Sequence, residues 1–429
     1  MQSSDGSSAS ALLPTEGSER IVTLDILRGI ALFGVLASNI WLWFSGVNFL
    51  FPSVLSELRR LSVDSVVFIF ITIFISGKAI RTFSFLFGLG FALQMMRAES
   101  RGQGVGLVYS RRLIVLLAFG IIHAVVFWYG DILAAYALLG FGLLLFRRAT
   151  RRTLLVWAAV LIFAVPIASS SVPLIRSMAA TSAAPPASSA SESLENRNQR
   201  LLGLFASAQP AQIIEGNLLM LRRMYLTPEA ILNYFNLFGF FLLGLFAGQA
   251  RVFENPMAYR RQFQRVALWG FAIGVIVTLA QIGLRMRFGA PGAAALPWFP
   301  LAMSATMVIG TTPFALAYIA AATLLLEQRR WKTLLGVFAP VGRMALTNYL
   351  AQTLICLAIY YGGGLFGSFR PALGLLIAMI IFVVQIGYST WWLGRYRFGP
   401  MEWLWRSLTY GHVQPMRIAR PDPVPAVLS

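Results

Sequence analysis

The sequence predicts an all-α polytopic membrane protein with about ten transmembrane helices. Hydrophobic residues make up 58% of its 429 residues and charged residues only 12%, and the mean hydropathy is +0.71. Apolar runs of about 20 residues, the length that crosses a bilayer as a helix, recur along the chain. Soluble domains carry about 25% charged residues, so the composition excludes an ordinary soluble enzyme, a disordered chain and a disulfide scaffold.

Ten apolar segments are long enough to cross the hydrocarbon core as helices, which satisfy their own backbone there. They span residues 24–45, 64–97, 111–129, 131–147, 153–170, 230–250, 266–284, 301–326, 335–361 and 371–393. The second segment is overlong and is interrupted at Gly77–Arg81. It is either one long tilted helix or a span plus a half-helix, and a double crossing would move the N-terminus outside.

The charge distribution predicts the orientation. The net charge is +19, but the chain has only two lysines, and its arginines lie between the apolar segments rather than in a nucleic-acid-binding patch. Cationic loops are typical of the cytoplasmic side of a membrane. We therefore expect a multi-pass protein of the cell membrane that contacts the lipid bilayer, binds no nucleic acid and has both termini in the cytoplasm. Its oligomeric state is not predicted.

This orientation divides the chain into five parts. We expect a cytoplasmic tail at 1–22, a five-span half at 23–170, an extracytoplasmic and partly disordered loop at 171–229, a second five-span half at 230–393 and a cytoplasmic tail at 394–429. In the loop, 181–193 is of low complexity and 194–225 favours an amphipathic surface helix. The first 19 residues have no apolar core, so no cleavable signal peptide is expected.

The first predicted span carries a polar face. At about 100° per residue, Asp25, Arg28 and Asn39 fall on one side of the helix, and the first two are spaced for pairing. Ionisable groups within spans are costly and frequently functional. These residues are either a buried ion pair that orients the helix or a polar stripe along a cavity, with Arg28 facing an anionic group.

Lys78 and Arg81 form a second charged group within the overlong segment. Two cations beside an apolar helix are able to bind a phosphate or carboxylate. They are equally able to extend to the membrane interface or to pair with Asp64 or Glu57. The neighbouring Gly88 and Gly90 are expected to let helices approach closely.

The third group contains His123, one of only two histidines. It lies eleven residues beyond Arg112, about 16 Å along the helix and thus near mid-membrane. A neutral imidazole there is able to accept a proton from a hydroxyl or amine, with Asp131 orienting it. The alternatives are a hydrogen-bonded core histidine and an Asp131 that caps the next helix.

A fourth group lies near the C-terminal end of the spans. Asn348 and Gln352 share a helix face, flanked by Tyr349, and either join helices through hydrogen bonds or bind a substrate headgroup. Farther on, Trp403, Trp405 and Arg406 are typical of a membrane-interface anchor. Two histidines and one cysteine, all far apart, do not form an ordinary zinc site, and no nucleotide-binding motif is present. We expect neither a metal nor a tightly bound cofactor.

Four sequence blocks in order resemble the YeiB-like family of bacterial membrane proteins. They are ERIVTLDILRGIALFGVLASN at 19–39, GKAIRTFSFLFGLGFALQ at 77–94, HAVVFWYGDILAAYALLG at 123–140, and a C-terminal portion with VGRMALTNYLAQ and FGPMEWLWRSLTYG. The last portion is similar to the domain of unknown function numbered 418. The resemblance covers nearly the whole chain.

The family is more distantly similar to transmembrane acyltransferases, including the heparan glucosaminide acetyltransferases, which share the LDxxRG opening. That resemblance implies transfer of an acyl group from cytosolic acyl-CoA to an acceptor across the membrane, here a glycan or lipid. It places Asp25, Arg28 and Asn39 in the opening block. The acetyltransferases use a histidine that follows the first span, and residues 40–63 contain none, so His123 would take this role from another helix.

Two further functions are compatible with the sequence. A transporter or export component would use Asp25, Arg28, His123 and Asp131 as an intramembrane polar path, and a non-catalytic scaffold would use none of them. In the acyltransferase, His123 and Asp131 would be catalytic. The substrate would contact Asp25, Arg28, Asn39, Lys78, Arg81, Asn348 and Tyr349.

Overall fold

The structure is a computed structural model that describes residues 22–50, 62–100, 105–179, 187–288 and 296–418. Within these ranges the regular structure is helical, and the one extended pairing is an isolated antiparallel bridge between Tyr396 and Arg417. The all-α prediction is therefore confirmed.

We number the α-helices of the described ranges in chain order. They are α1 Val22–Asn39, α2 Val63–Phe74, α3 Lys78–Ser100, α4 Val105–Ile122, α5 Leu133–Leu145, α6 Arg151–Ala159, α7 Val165–Ala179, α8 Ala187–Ala206, α9 Pro210–Leu226, α10 Pro228–Gln249, α11 Arg260–Phe288, α12 Phe299–Leu326, α13 Arg329–Leu335, α14 Ala339–Arg343, α15 Ala345–Leu357, α16 Pro371–Leu393 and α17 Pro400–Tyr410.

Four α-helices continue directly into a π turn. The π turns span Ile40–Phe44 after α1, His123–Phe127 after α4, Val160–Ala164 after α6 and Ala358–Gly362 after α15. A π turn inserts one residue into the helical hydrogen-bond pattern and is frequently found at functional sites. One of the four begins at His123.

Seven helices of the described ranges are long and apolar enough to cross a membrane. The bent pair Arg329–Arg343 and Ala345–Gly362 makes an eighth candidate span if the two helices are counted together. The remaining two predicted crossings correspond to the shorter apolar helices Leu133–Leu145 and Tyr234–Gln249. The chain is thus a multi-pass membrane protein, and each of the ten predicted segments falls on an apolar helix.

The overlong second segment is a single candidate span, Val63–Ser100, with a local break. The break lies at Ile75–Gly77 between α2 and α3, and Gly77 has a φ of 76°, a left-handed conformation that suits glycine. Asp64 at the start of α2 accepts the Ala372 N–H at 2.8 Å. It therefore caps α16 rather than pairing with Lys78 or Arg81, and Glu57 lies outside the described residues.

The loop that was expected to carry one amphipathic helix over 194–225 carries two helices, α8 and α9. The pair is held together by an ion pair between Arg200 and Glu215 at 2.7 Å, and a short connection at Ser207–Gln209 separates the two helices. Part of the predicted low-complexity stretch, 181–186, lies outside the described residues. The rest of it, from residue 187, is the first turns of α8.

Glycines allow two close helix contacts that position the site. On α3, Gly88 lies against the Phe241 backbone of α10, and on α1, Gly29 lies against the Phe338 carbonyl just before α14. Neither position leaves room for a Cβ atom. The expectation of close helix approach is confirmed at Gly88, whereas a Cβ at Gly90 would meet only the Arg28 guanidinium, at 3.4 Å. The Gly29 contact brings α1 and α14 together beside Asp25.

Candidate functional site

His123 is hydrogen bonded on both ring nitrogens inside the helical bundle. Its Nδ1 lies 2.9 Å from Asp131 Oδ1, and its Nε2 lies 3.0 Å from Thr353 Oγ1 of α15. All three residues are 2–3% exposed. The sequence-predicted pair of His123 and Asp131 is therefore in direct contact, and Thr353 joins it from a helix 230 residues later in the chain.

Asp131 both orients the imidazole and caps α5. Its second carboxylate oxygen, Oδ2, accepts the Ala134 N–H at 2.7 Å. An ionised Asp131 has no hydrogen to donate, so in that form it accepts one from His123 Nδ1. In the neutral imidazole this leaves Nε2 as an acceptor. The two alternatives that the sequence left open for Asp131 are thus combined in one side chain.

The π turn that begins at His123 is anchored by α9. Asn217, which is fully buried, donates from Nδ2 to the Val125 carbonyl at 3.1 Å, and its Oδ1 accepts the Tyr129 N–H at 3.2 Å. A buried backbone group without a partner is costly, and the Asn217 amide satisfies two such groups. The α8–α9 pair thus holds the backbone around His123.

A cavity of about 340 Å³ lies between α1, α3, α4, α5, α14, α15 and α17. Its charged lining consists of five half-buried arginines and two acidic residues: Asp25, Arg28, Arg97, Arg112, Arg343, Glu402 and Arg406. Its apolar and aromatic lining includes Leu32, Val35, Phe83, Phe87, Leu116, Ile132, Leu133, Tyr136 and Tyr349. The excess of arginines makes the cavity attractive to an anion.

The lining changes from charged to apolar along the helices. On α1 it passes from Arg28 to Val35, and on α3 it passes from Arg97 to Phe83. The cavity therefore has a cationic end, at Arg28 and Arg97, and an apolar end. An amphipathic molecule with an anionic head fits this gradient, since its head is neutralised at one end and its apolar part is removed from water at the other.

Asp25 and Arg28 form the predicted pair, with Arg28 Nη1 lying 2.9 Å from Asp25 Oδ1. The Asp25 side chain is 6% exposed and that of Arg28 is 30% exposed. The two alternatives for this pair are again combined, because the ion pair itself lines the cavity. Asn39 continues the same stripe of α1 but lies beyond the last lining residue, Val35.

Helix α17 closes the cationic end of the cavity. The Arg112 guanidinium carbon lies 4.1 Å from the centre of the Trp405 ring, and Trp405 Nε1 donates to the Arg112 carbonyl at 2.9 Å. A guanidinium over an indole face is attracted to the ring electrons. Trp405 and Arg406, which the sequence suggested as a membrane-interface anchor, therefore form part of the cavity wall.

Glu402 connects α17 to the start of α15. Its Oε1 accepts the Leu346 N–H at 2.7 Å and the Thr347 N–H at 3.1 Å, and its Oε2 accepts the Thr347 hydroxyl. These are first-turn N–H groups, which have no partner within their own helix. Burial raises the pKa of Glu402, and the donated hydrogen bonds offset part of this rise. Nothing in the sequence pattern indicated this cap.

Tyr349 is common to the cavity and to the surroundings of His123. It lines the apolar end of the cavity, and its ring centre lies 5.3 Å from that of His123. Its hydroxyl oxygen accepts the Ile132 N–H at 3.3 Å, and Ile132 also lines the cavity. The ring of Tyr349 thus separates the cavity from the imidazole.

Asn348 faces away from the cavity and joins helices. Its Nδ2 donates to Ser389 Oγ at 2.9 Å, and its carbonyl accepts from Gln385 Nε2 at 3.0 Å. Gln352 Nε2 donates to Gln385 Oε1 at 2.8 Å. These bonds tie α15 to α16, in agreement with the helix-joining alternative of the sequence analysis.

Lys78 and Arg81 lie at the break between α2 and α3, apart from the cavity lining. Lys78 Nζ donates to the Thr72 carbonyl and Arg81 Nη1 to the Gly77 carbonyl, both at 2.7 Å. Carbonyls at a helix break lack intrahelical donors, so these side chains satisfy the interrupted backbone. The structure does not bring them to the other predicted substrate-binding residues.

The described residues contain no group of three or more histidine, cysteine or acidic side chains able to hold a metal ion. Sequence reasoning missed Thr353, Arg343 and Glu402. A signal for Thr353 was present: it stands one helical turn beyond Tyr349, on the same side of α15.

Comparisons with known proteins identify relatives of this chain. The family described as "Protein of unknown function (DUF418)" matches residues 247–412. The chain is 35% identical to the YxaH protein of Bacillus subtilis, over 95% of this chain and 98% of that protein. It is 30% identical to the YeiB protein of Escherichia coli, over 91% of this chain and 96% of that protein. No solved structure matches the chain significantly.

The matched region supplies part of the candidate site. Thr353, Tyr349 and the α17 residues of the cavity lie within 247–412, whereas Arg28, His123 and Asp131 lie before it. The matches to YxaH and YeiB cover 95% and 91% of the chain.

Proposed function

The chain belongs to the YeiB-like family of membrane proteins with a DUF418 domain, and we propose that it is an acyltransferase. It moves an acyl group from cytosolic acyl-CoA to a glycan or lipid acceptor. The observation that carries this proposal is the position of Tyr349, which lines an amphipathic cavity on one side and contacts the Asp131-oriented His123 on the other.

The cationic end of the cavity suits the phosphates of acyl-CoA. Arginine binds phosphate through two parallel N–H donors and keeps its charge when partly buried. The volume of about 340 Å³ is near the lower end for small-molecule sites, about 300–1,000 Å³. In the proposed complex Arg28 and Arg112 contact the phosphates, and the thioester and acyl chain lie toward Tyr349. Acyl-CoA is a co-substrate rather than a resident cofactor.

His123 supplies the base. With Asp131 ionised and accepting from Nδ1, the neutral imidazole presents the lone pair of Nε2. A base of this kind takes a proton from the attacking hydroxyl or amine and contributes about 10²–10⁴-fold to the rate. Asp131 stabilises the imidazolium that results, as the buried carboxylate of a hydrolase triad does.

The orientation follows from the arginine-rich loops. We place the cationic end of the cavity and both termini in the cytoplasm of a bacterial cell, where acyl-CoA is available, and the α8–α9 pair on the outer side. His123 then lies about 16 Å above Arg112, near the middle of the membrane. Donor and acceptor would approach it from opposite sides.

The competing function is transport along an intramembrane polar path. The path would need His123 and Asp131 to continue the charged lining that begins at Asp25 and Arg28. Instead, His123 and Asp131 are not among the residues that line the cavity, whereas Tyr349 and Ile132 are. We therefore favour acyl transfer, and transport becomes an outcome of the test.

The test is binding and turnover of acetyl-CoA and decanoyl-CoA by the purified protein in detergent. We compare the wild type with Arg28→Ala, His123→Gln and Arg265→Ala. Arg265 is an exposed residue of α11 outside the cavity and serves as the matched control. Each variant is first shown to be folded by its elution profile and thermal unfolding.

We expect saturable binding that Arg28→Ala weakens by about tenfold, or about 1.4 kcal/mol, and that Arg265→Ala leaves unchanged. His123→Gln should bind acyl-CoA but release free CoA, in the presence of a glycan or lipid acceptor mixture, at least about 100-fold more slowly. Folded wild-type protein that binds neither acyl-CoA would refute the proposal and favour transport.

A further inference from the structure

The hydroxyl of Thr353 is hydrogen bonded differently from those of six other helical threonines in this structure. These six donate to the carbonyl four residues back at 2.5–3.1 Å: Thr306, Thr311, Thr323, Thr333, Thr390 and Thr409. In Thr353 the corresponding distance, to the Tyr349 carbonyl, is 3.4 Å, while His123 Nε2 lies at 3.0 Å. The shorter and more favourable contact is therefore with the imidazole.

The direction of that hydrogen bond follows from Asp131. Its Oδ2 accepts the Ala134 N–H, and its Oδ1 lies 2.9 Å from His123 Nδ1. With Asp131 ionised, the neutral imidazole carries its hydrogen on Nδ1 and its lone pair on Nε2. Thr353 then donates its hydroxyl hydrogen to Nε2. A hydroxyl that donates to a base oriented by a carboxylate is the arrangement of an activated nucleophile.

We propose that Thr353 is the nucleophile that carries the acyl group, as an ester, between the donor and the acceptor. The inference rests on the proposed acyl transfer. It adds a covalent intermediate, and it makes Thr353 a catalytic residue.

The two half-reactions balance as follows. Thr353 Oγ attacks the thioester carbonyl carbon, and its proton passes to His123 Nε2. The carbon–sulfur bond then breaks, and the imidazolium returns the proton to the CoA thiolate, which leaves as the thiol. In the second half-reaction His123 takes the proton of an acceptor hydroxyl, the acceptor oxygen attacks the ester, and Thr353 leaves with the proton from the imidazolium.

The course of α15 suits an intermediate at this position. The cavity is lined by Ala345, Leu346 and Tyr349 of this helix, and Thr353 lies one turn farther on. Beyond it, Tyr360 and Tyr361 belong to the aromatic cluster that packs against α8 and α9. An ester on Thr353 therefore lies between the donor cavity and the hairpin on the other side of His123. The donor reaches Thr353 when the Tyr349 ring turns away from His123.

The experiment traps the intermediate. Purified wild-type protein in detergent is mixed with acetyl-CoA or decanoyl-CoA without acceptor, sampled over time and analysed by intact and peptide mass spectrometry. Thr353→Ser, Thr353→Val and His123→Gln are treated in the same way. Thr323→Val is the matched control, because Thr323 is equally buried in a helix but donates to a backbone carbonyl.

We expect one acyl group per chain, on the peptide that contains residue 353, in the wild type, Thr353→Ser and Thr323→Val. Thr353→Val and His123→Gln should show none, and Thr353→Val should transfer acyl groups to an acceptor at least about 100-fold more slowly than Thr323→Val.

Two negative results are distinguishable. Either of two results would overturn this inference while leaving the proposed function in place. In the first, the wild-type protein binds and turns over acyl-CoA without forming the adduct. In the second, the Thr353→Val variant turns over acyl-CoA at the wild-type rate. Folded wild-type protein without acyl-CoA binding would remove the proposed function itself.

Discussion

The side-chain amide of Asn217 donates to the Val125 carbonyl at 3.1 Å and so joins α9 to the π turn that carries His123. The same amide accepts the Tyr129 N–H on the far side of that turn. A surface hairpin therefore sets the backbone beneath a buried imidazole.

Replacing Asn217 with alanine should impair both stability and activity. The change leaves two buried backbone groups without partners, which costs about 1–3 kcal/mol, and it loosens the backbone of His123. Asn236→Ala is the matched control, because Asn236 is also buried and donates to the Ile162 carbonyl of another π turn at 2.9 Å. We expect comparable losses in thermal unfolding but a rate loss only for Asn217→Ala. Equal rate losses would contradict a specific link to His123.

Gly29→Ala should destabilise the contact between α1 and α14. A Cβ at Gly29 has no room beside the Phe338 carbonyl, and overpacking of this kind costs about 1–3 kcal/mol. Because α1 carries Arg28, acyl-CoA binding should weaken as well. Gly387→Ala, on an open face of α16, should leave both unchanged. The measurements are the unfolding temperatures and acyl-CoA binding isotherms of the two variants. Equal unfolding temperatures and equal affinities would contradict the packing argument.

Glu402 should make stability depend on pH. Burial raises its pKa above the ordinary value of 4.5, so the folded protein binds the proton more tightly than the unfolded chain. The resulting stabilisation is present below 4.5 and is lost as the pH rises through the raised pKa. Unfolding temperatures of the wild type and Glu402→Gln, measured from pH 4 upward, should diverge in this window, with the wild type falling relative to the variant. Parallel curves would show that Glu402 does not titrate differently in the folded protein.

Binding of acyl-CoA should weaken with salt and with loss of the Trp405 ring. Charge attraction at the half-buried arginines is partly screened by salt, with a Debye length of about 10 Å at 0.1 M. Trp405→Leu removes the ring that holds the Arg112 guanidinium at 4.1 Å, a contact of about 0.5–2 kcal/mol. Trp403→Leu is the control, because Trp403 Nε1 donates to the Gln414 carbonyl in the tail instead. Titrations at several salt concentrations test both statements, and salt-independent binding would argue against a phosphate site.

Local patterns in the sequence predicted the contacts between near neighbours. Helical periodicity identified the pair of Asp25 and Arg28, which are three residues apart, and a short helix break placed Asp131 close to His123. Apolar run length located each predicted crossing on a helix. These features depend on interactions within a few turns of one helix or across one tight connection.

Contacts between distant segments were beyond the same reasoning. Thr353 meets His123 across 230 residues, and Trp405 meets Arg112 across 293. Nothing in a periodicity specifies which helices become neighbours. Lys78 and Arg81 were expected near the substrate because they are positively charged. Instead, they donate hydrogen bonds to backbone carbonyls at the break between α2 and α3. The free-energy cost of burying a charge in the membrane indicates that Lys78 and Arg81 are under constraint. It does not indicate whether that constraint is structural or functional.

Helix α17 has a consequence for biosynthesis. It follows all candidate spans in chain order, yet it supplies Glu402, Trp405 and Arg406 to the cavity that α1, α3 and α4 begin. A chain emerging from the ribosome folds from its N-terminus, so the early helices enter the membrane while the cavity is still missing a wall. Assembly of the binding site is thereby deferred until the last helix docks, and a nascent chain arrested before α17 would be inserted but inert.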